Sequence, residues 1–498
     1  MSITKTLHRV ESYTSQCVLF NLLSVIIMNC NLKSRLKLLD GFISDGTLDK
    51  CSSLIINQPN LGSQRIEGTG YGFPDVGLLD GMINFYNTFV TSLNQDQVRQ
   101  FYNNSTAWAS ICTMMKSLNN NSEISIEGIS FCLQFIYSSM CFCESFRDNV
   151  MKDRLLLRTI TLHIKSDFVK QLLSWPISRG GGQYAVEHVV QKALTILIMI
   201  LNFQGDCSAL IFDIMYKEEV TKHCIYGMTL VDGCDGFVAL LSKLITCHSR
   251  FAAHVIKFDG FNNALVDSML GHENVDVVLD YLQIATQLAR SSKGYYNNIG
   301  ATDICVHIKN LIVNKDCRIR SRTCSLIGNM CRHSNYFYEI FLKCNIIPEL
   351  INRCHDPDQS TRKFACFAIG NACFHSSILL RALKDSVAPL VALLGDEEEK
   401  TRANAAGAIG NLVRKSDELV PDLIEQSALI GLMKCLNNRD ASTKIALFSL
   451  GNCCSYKECR DALKDKDLLS EVKKMKSEPS TDPTIKKYAH RIFIAYET

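Results

Sequence analysis

The chain has 498 residues, 47% of them hydrophobic, and a formal net charge of +3. The length exceeds one compact domain and the hydrophobic fraction is that of a folded globular protein, while the near-neutral balance carries no global signature of a nucleic-acid binder. The 23 cysteines do not suit a secreted disulfide scaffold, which is short and loop-rich; they are expected as reduced, buried, small side chains in a cytosolic or nuclear compartment.

Met1–Gln16 carries Lys5, His8, Arg9 and Glu11 and does not read as a secretory leader. The apolar stretches Cys17–Cys30 and Ala193–Phe203 are shorter than the roughly 20 residues that span a bilayer, and both are expected as buried helices. Gly62–Gly81 is glycine-rich and is expected to form a long loop. Within it Gly68-Thr69-Gly70 has no following lysine and runs into Pro74, unlike a phosphate-binding loop. Gly180–Gly182 is the best internal break. The expected division is therefore 1–179 as a divergent helical segment, 180–300 as degenerate repeats, and 301–498 as regular repeats closed by a capping helix.

Gly-Asn returns at Gly328-Asn329, Gly370-Asn371, Gly410-Asn411 and Gly451-Asn452, at intervals of 42, 40 and 41 residues. A fixed period of this size marks stacked helical units of the armadillo or HEAT class, and the length allows about ten to twelve of them. The windows Arg320–Ser334, Arg362–Ser376, Arg402–Ser416 and Thr443–Lys457 share apolar residues at three- and four-residue steps, one buried stripe of a helix. Shorter apolar segments precede them at Ile346–Cys354, Val387–Leu394 and Leu429–Leu436, with earlier elements at Tyr336–Lys343, Ser377–Leu383 and Glu418–Glu425. Three helices per unit is the armadillo plan. The fold class expected is an all-α, armadillo/HEAT-like, right-handed superhelical solenoid, with Val275–Ser291 and Ile485–Tyr496 as less regular flanking helices.

The register sorts the polar residues too. Cys324 and Cys366 stand four before the glycine, and Cys331, Cys373 and Cys454 three after it. Other units place Ala406, Leu447 and Val413 there, so these are packing positions rather than ligands. Arg320, Arg362 and Arg402 stand eight before the glycine. With Arg318, Arg322, Arg332, Lys363, Arg414, Lys415 and Lys444 they predict a basic stripe, suited to acidic or phosphorylated partners. The alternative is that these arginines pair with acids of the neighbouring turn, around Asp356, Asp358 and Glu397–Glu399. On the first reading, reversing Arg362 and Arg402 to glutamate abolishes partner capture without unfolding. Nucleic acid is disfavoured because aromatics are not interleaved with the charges.

The windows resemble the third helix of armadillo repeats. That resemblance implies a groove in which Asn329, Asn371, Asn411 and Asn452 hydrogen-bond an extended peptide main chain. It also implies aromatics at Phe367 and Phe448, one turn earlier, packing between the peptide's side chains. Ser325 and Gly407 break the aromatic pattern, and the tryptophans of importin-like grooves are absent. Independently, an amide offers donors and an acceptor together, although each Asn could instead tie its own repeat to the next.

No Walker A, His-Glu-x-x-His, Gly-x-Ser-x-Gly or protein-kinase motif occurs; no catalytic residue, cofactor or metal is expected. Thr361–Ser376, Thr401–Ser416 and Gly70–Gly81 resemble the C-terminal region of the fused family of serine/threonine kinases. The resemblance implies a scaffolding or regulatory role in Hedgehog signalling, cilium assembly or cytokinesis. It also implies a protein partner and a cytoplasmic, cilium- or cytoskeleton-associated location. With no kinase domain in the chain, it implies either a non-catalytic scaffold or part of an active kinase; an unrelated catenin- or importin-type adaptor is the alternative.

Overall fold

The computed structural model describes residues 13–497 except most of 32–77, most of 105–124, and short stretches at 178–179, 204, 206–207, 415, 465 and 478–481. The glycine-rich residues 62–77 and Lys415 lie outside the described residues. Every regular element among the described residues is helical. They form two compact units, Met1–Phe258 and Asp259–Thr498.

In the first unit the long helices Tyr13–Asn29, Leu78–Thr91, Ile126–Phe142, Gln191–Asn202 and Asp235–Cys247 pack in chain order, each against the next. Helix Leu78–Thr91 starts inside the stretch expected as loop. Helix Tyr13–Asn29 buries Phe20, Leu23 and Ile27 but leaves Leu22, Val25, Ile26 and Met28 exposed, so only one face of it is core. Ala193–Phe203 forms the end of a longer continuous helix, Gln183–Asn202, with Phe203 as its C-cap and a π-helical turn at Val186–Val190. Its 20 residues have the length and apolarity to cross a membrane, yet Ala193, Leu194, Leu197, Ile200 and Leu201 are fully buried in the unit.

The units do not divide at the glycine run. Gly180 and Gly182 have positive φ (73° and 70°), the Gly182 N–H donates to Leu172 O at 2.9 Å, and Gly181 lies directly on the Trp175 backbone. Glycine reaches that backbone conformation without the penalty a Cβ incurs, so the run is a tight turn inside the first unit.

In the second unit six long helices form an unbroken row: α1 (Val275–Ser291), α2 (Cys317–Met330), α3 (Gln359–Ala372), α4 (Glu399–Leu412), α5 (Ala441–Cys453) and α6 (Pro483–Glu497). Caps set their starts. Asp316, Asp358 and Asp440 accept from the backbone N–H of Arg318, Thr361 and Ser442, satisfying donors a helix cannot satisfy internally. Short helices stand behind the row at Ile346–Asn352, Val387–Leu393 and Ala428–Cys435. The first elements of two repeats are the short helices Tyr338–Lys343 and Val420–Glu425, whereas Ser377–Leu383 forms turns with a 3-10 segment at Ser377–Leu379.

The repeat glycine sets the spacing of the row. A Cβ on Gly328 would stand 2.5 Å from the Phe367 ring, and one on Gly410 would collide with Ser449. Cys324, Cys331, Cys366, Cys373 and Cys454 are fully buried. Burial pushes the Cys454 thiol up to about 12 and raises those of Cys324, Cys331 and Cys373 as well. These thiols are core side chains, protonated at neutral pH.

Candidate binding face

The expected basic stripe is a ladder of ion pairs. Arg320 forks onto Asp356 of the next repeat, with Nε and Nη2 each 2.7 Å from a carboxylate oxygen. Its Nη1 donates to the carbonyls of Asn314 and Lys315 in its own preceding turn. Arg362 repeats the arrangement, with Nε 2.7 Å from Asp396 and Nη1 donating to the carbonyls of Asp356 and Pro357. Arg402 repeats it again with Asp440 and the carbonyls of Asp396 and Glu397. Each arginine therefore caps one turn and holds the next repeat.

The acids respond accordingly. Burial opposes the charge on Asp356, but the hydrogen bonds and charge of Arg320, aided by Arg353 at 3.0 Å, hold its carboxyl below the usual range. Asp440 is likewise held low, against its burial, by Ser442 and Arg402. Arg320, Arg362 and Arg402, expected to face a partner, are each engaged from within, because every repeat supplies an acid at the matching turn; of the three forks, Arg402 leaves its Nε without a hydrogen-bond partner among the described residues. Three further members of the stripe are also ion-paired: Arg318 with Asp316 and Asp276, Lys363 with Glu398, and Lys444 with Asp482. Arg322 bonds Gln283.

The four asparagines do not behave alike. Asn371 Nδ2 donates to Gly328 O at 2.8 Å and Asn411 Nδ2 to Gly370 O at 2.9 Å, each tying a repeat to the one before. Both remain half-buried, with no other side-chain hydrogen bond among the described residues. Asn452 donates to Gly410 O at 3.0 Å, accepts from Arg491 Nη2 at 2.8 Å, and is buried. Asn329 is buried and donates back to Ser325 O in its own helix. Of the four expected rungs, Asn371 and Asn411 are half-buried, whereas Asn329 and Asn452 are buried.

Phe367 is half-buried and lies across Gly328 of the preceding repeat. Phe448 is half-buried beside Tyr488, ring centroids 5.4 Å apart, with the Arg491 guanidinium 5.7 Å from its ring. Phe374, Val413, Arg414 and Tyr456 join Phe448 and Arg491 around an open cleft of about 410 Å³ at this end of the row. Phe374 and Arg491 were not among the sequence candidates. Phe374 was legible as the residue four past the glycine; Arg491 lies on α6, outside the repeat register.

His333 and His375 also have structural partners. Each Nε2 lies within hydrogen-bonding distance of a carbonyl 43 residues earlier, on Arg290 at 2.8 Å and Arg332 at 3.0 Å. Tyr296 and Tyr338 donate to the carbonyls of Asn329 and Asn371. Among the described residues no three His, Cys, Asp or Glu side chains gather as a metal site.

Comparison with known proteins agrees with this architecture. The HEAT-repeat family profile matches residues 347–451. The serine/threonine-protein kinase TIO of Arabidopsis thaliana is 30% identical over 475 residues, covering 82% of this chain. The chain spans only 36% of that relative's length, and the alignment involves the part outside the kinase domain. The crystal structure of an engineered protein superposes with a TM-score of 0.67 at 12% identity, covering 90% of this chain and 99% of that one. A designed armadillo repeat protein gives a TM-score of 0.44 at 17% identity over 47% of this chain and 99% of that one. The chain is built of armadillo/HEAT-type repeats, helical throughout its described residues, and resembles the repeat region of a fused-type protein kinase.

Proposed function

We propose that this chain is a non-catalytic scaffold or regulatory region that holds an extended segment of a partner protein along α2–α5. The observation that supports this reading is the state of Asn371 and Asn411. Each uses one amide hydrogen to tie two repeats and is held in place by that bond, while Oδ1 and the second hydrogen stay available. Amides held one per repeat can satisfy an extended main chain without reading its sequence, as strand-like peptide recognition requires. Phe367 and Phe448 offer apolar surface beside them. In this reading the chain recruits partners in the cytoplasm, at the cytoskeleton or cilium, for a kinase activity of the fused type; it transfers no phosphoryl group itself.

The test is capture of degenerate extended peptides by the full chain. Replacing both Asn371 and Asn411 by alanine is expected to lower capture by about tenfold or more, the size of one or two lost hydrogen bonds. The helical circular-dichroism signal should be retained. Equal capture by the native and doubly substituted chains would overturn the reading.

A further inference from the structure

The ion-pair ladder accounts for most of the basic side chains on the row, which makes the exceptions informative. Arg332 and Arg414 form no ion pair among the described residues, and both are exposed. They stand four residues past the glycine of their repeats, where the other two repeats place Phe374 and Ser455, also exposed. One edge of the row therefore reads Arg332, Phe374, Arg414, Ser455.

Arg414 is held in a defined way. Its guanidinium carbon lies 3.9 Å from the centroid of the Phe374 ring. From the other side of the same cleft, α6 brings in Arg491, 5.7 Å from the Phe448 ring, with one N–H on Asn452 Oδ1. Arg491 is exposed and forms no ion pair among the described residues. A guanidinium held near an aromatic ring can keep N–H donors free for a ligand. Two guanidiniums bordering one open cleft, neither ion-paired with a carboxylate among the described residues, suit the charge of an oxyanion. The exposed Asp417 raises the Tyr456 phenol, after the larger effect of burial, but forms no ion pair with either arginine.

We propose that the cleft between Arg414 and Arg491 takes an anionic side chain, a phosphate or a carboxylate, of the protein segment bound along α2–α5. The proposal rests on the groove reading above and moves its anion recognition from the ion-paired arginines to these two. It also gives α6 a second role: it closes the row and supplies half of the anion site.

The experiment uses the full chain and four degenerate peptide libraries that differ only in a central phosphoserine, glutamate, serine or lysine. The phosphoserine or glutamate library, or both, is expected to be captured about tenfold better than the serine library, with lysine the weakest. Preference for phosphoserine over glutamate assigns the site to phosphate; equal capture of the two assigns it to either oxyanion. Arg414→Gln with Arg491→Gln should bring all four libraries to within about twofold of one another while serine-library capture persists, and Arg414→Lys should retain part of the preference. If the native chain captures all four equally and capture still depends on Asn371 and Asn411, the groove stands and the anion site falls. An anionic preference that survives the double substitution also removes the site from this cleft. Absence of capture from every library overturns the groove reading and the anion site together.

Discussion

At the scale of residues, the arginines eight before each glycine are the clearest case of chemistry redirected by context. Arg362 is largely buried against Asp396 and two carbonyls. Removing one partner of such a pair leaves an acid and two carbonyls uncompensated, which costs about 3 kcal/mol. Arg362→Ala should therefore lower the chemical-denaturation midpoint, and Arg362→Glu with Arg402→Glu should unfold the second unit rather than only block binding. An unchanged midpoint in Arg362→Ala would contradict the ladder. The same pairs predict acid sensitivity. Asp356 and Asp440 have folded pKa values below their ordinary ones, so their contribution is fully present above the unfolded value of about 3.9 and is lost as pH falls through the folded value. Melting temperature should drop from about pH 4 downwards, and Asp440→Asn should melt lower at pH 7 with a shallower acid slope.

At the scale of elements, the row is set by how closely consecutive long helices approach. Gly328 faces the Phe367 ring and Gly410 faces Ser449, whereas a Cβ on Gly370 would meet Ala408 at an ordinary 3.4 Å. Gly328→Ala and Gly410→Ala should each destabilise by about 1–3 kcal/mol through overpacking, and Gly370→Ala should be nearly neutral, as read by thermal melts of the three variants. Equal gains at all three would mean that helix propensity, which favours alanine over glycine inside a helix, and not spacing governs these sites. Helix positions were highly legible: α1 spans Val275–Ser291 as the periodicity indicates, because a capping Asn274 and a long amphipathic pattern agree. Ser377–Leu383 was not, because Leu379, Leu380 and Leu383 are buried equally well by turns and by a short α-helix.

At the scale of the whole molecule, a stacked array needs its last long helix covered. In the second unit α6 packs on α5, burying Ala489 and Ile492 and laying Arg491 over Gly451 and Asn452, while Lys487 and His490 are exposed. Ending the chain at Ser477 should expose the Phe448 side of α5 and shift the protein to aggregates on size-exclusion chromatography; a monomeric elution at native yield would show that α6 is dispensable. The division between units falls at Phe258/Asp259, away from the glycine run that marks the strongest break in composition, because a tight glycine turn can be packed as firmly as a helix.

The sequence by itself determined the fold class, the 40-to-42-residue register, the helices of the row and the burial of the register cysteines, since all of these follow from apolar periodicity and repeated capping residues within one repeat. Only the tertiary structure decided which polar residues remain available. Asp356, Asp396 and Asp440 approach their arginines from 34 to 38 residues away, and Arg491 reaches Asn452 from 39 residues on. Those distances close only when one repeat stacks on the next. Stacking pairs three arginines with acids of the next repeat and ties Asn371, Asn411 and Asn452 to the repeat before, while Arg414 and Arg491 stay without an ion pair among the described residues.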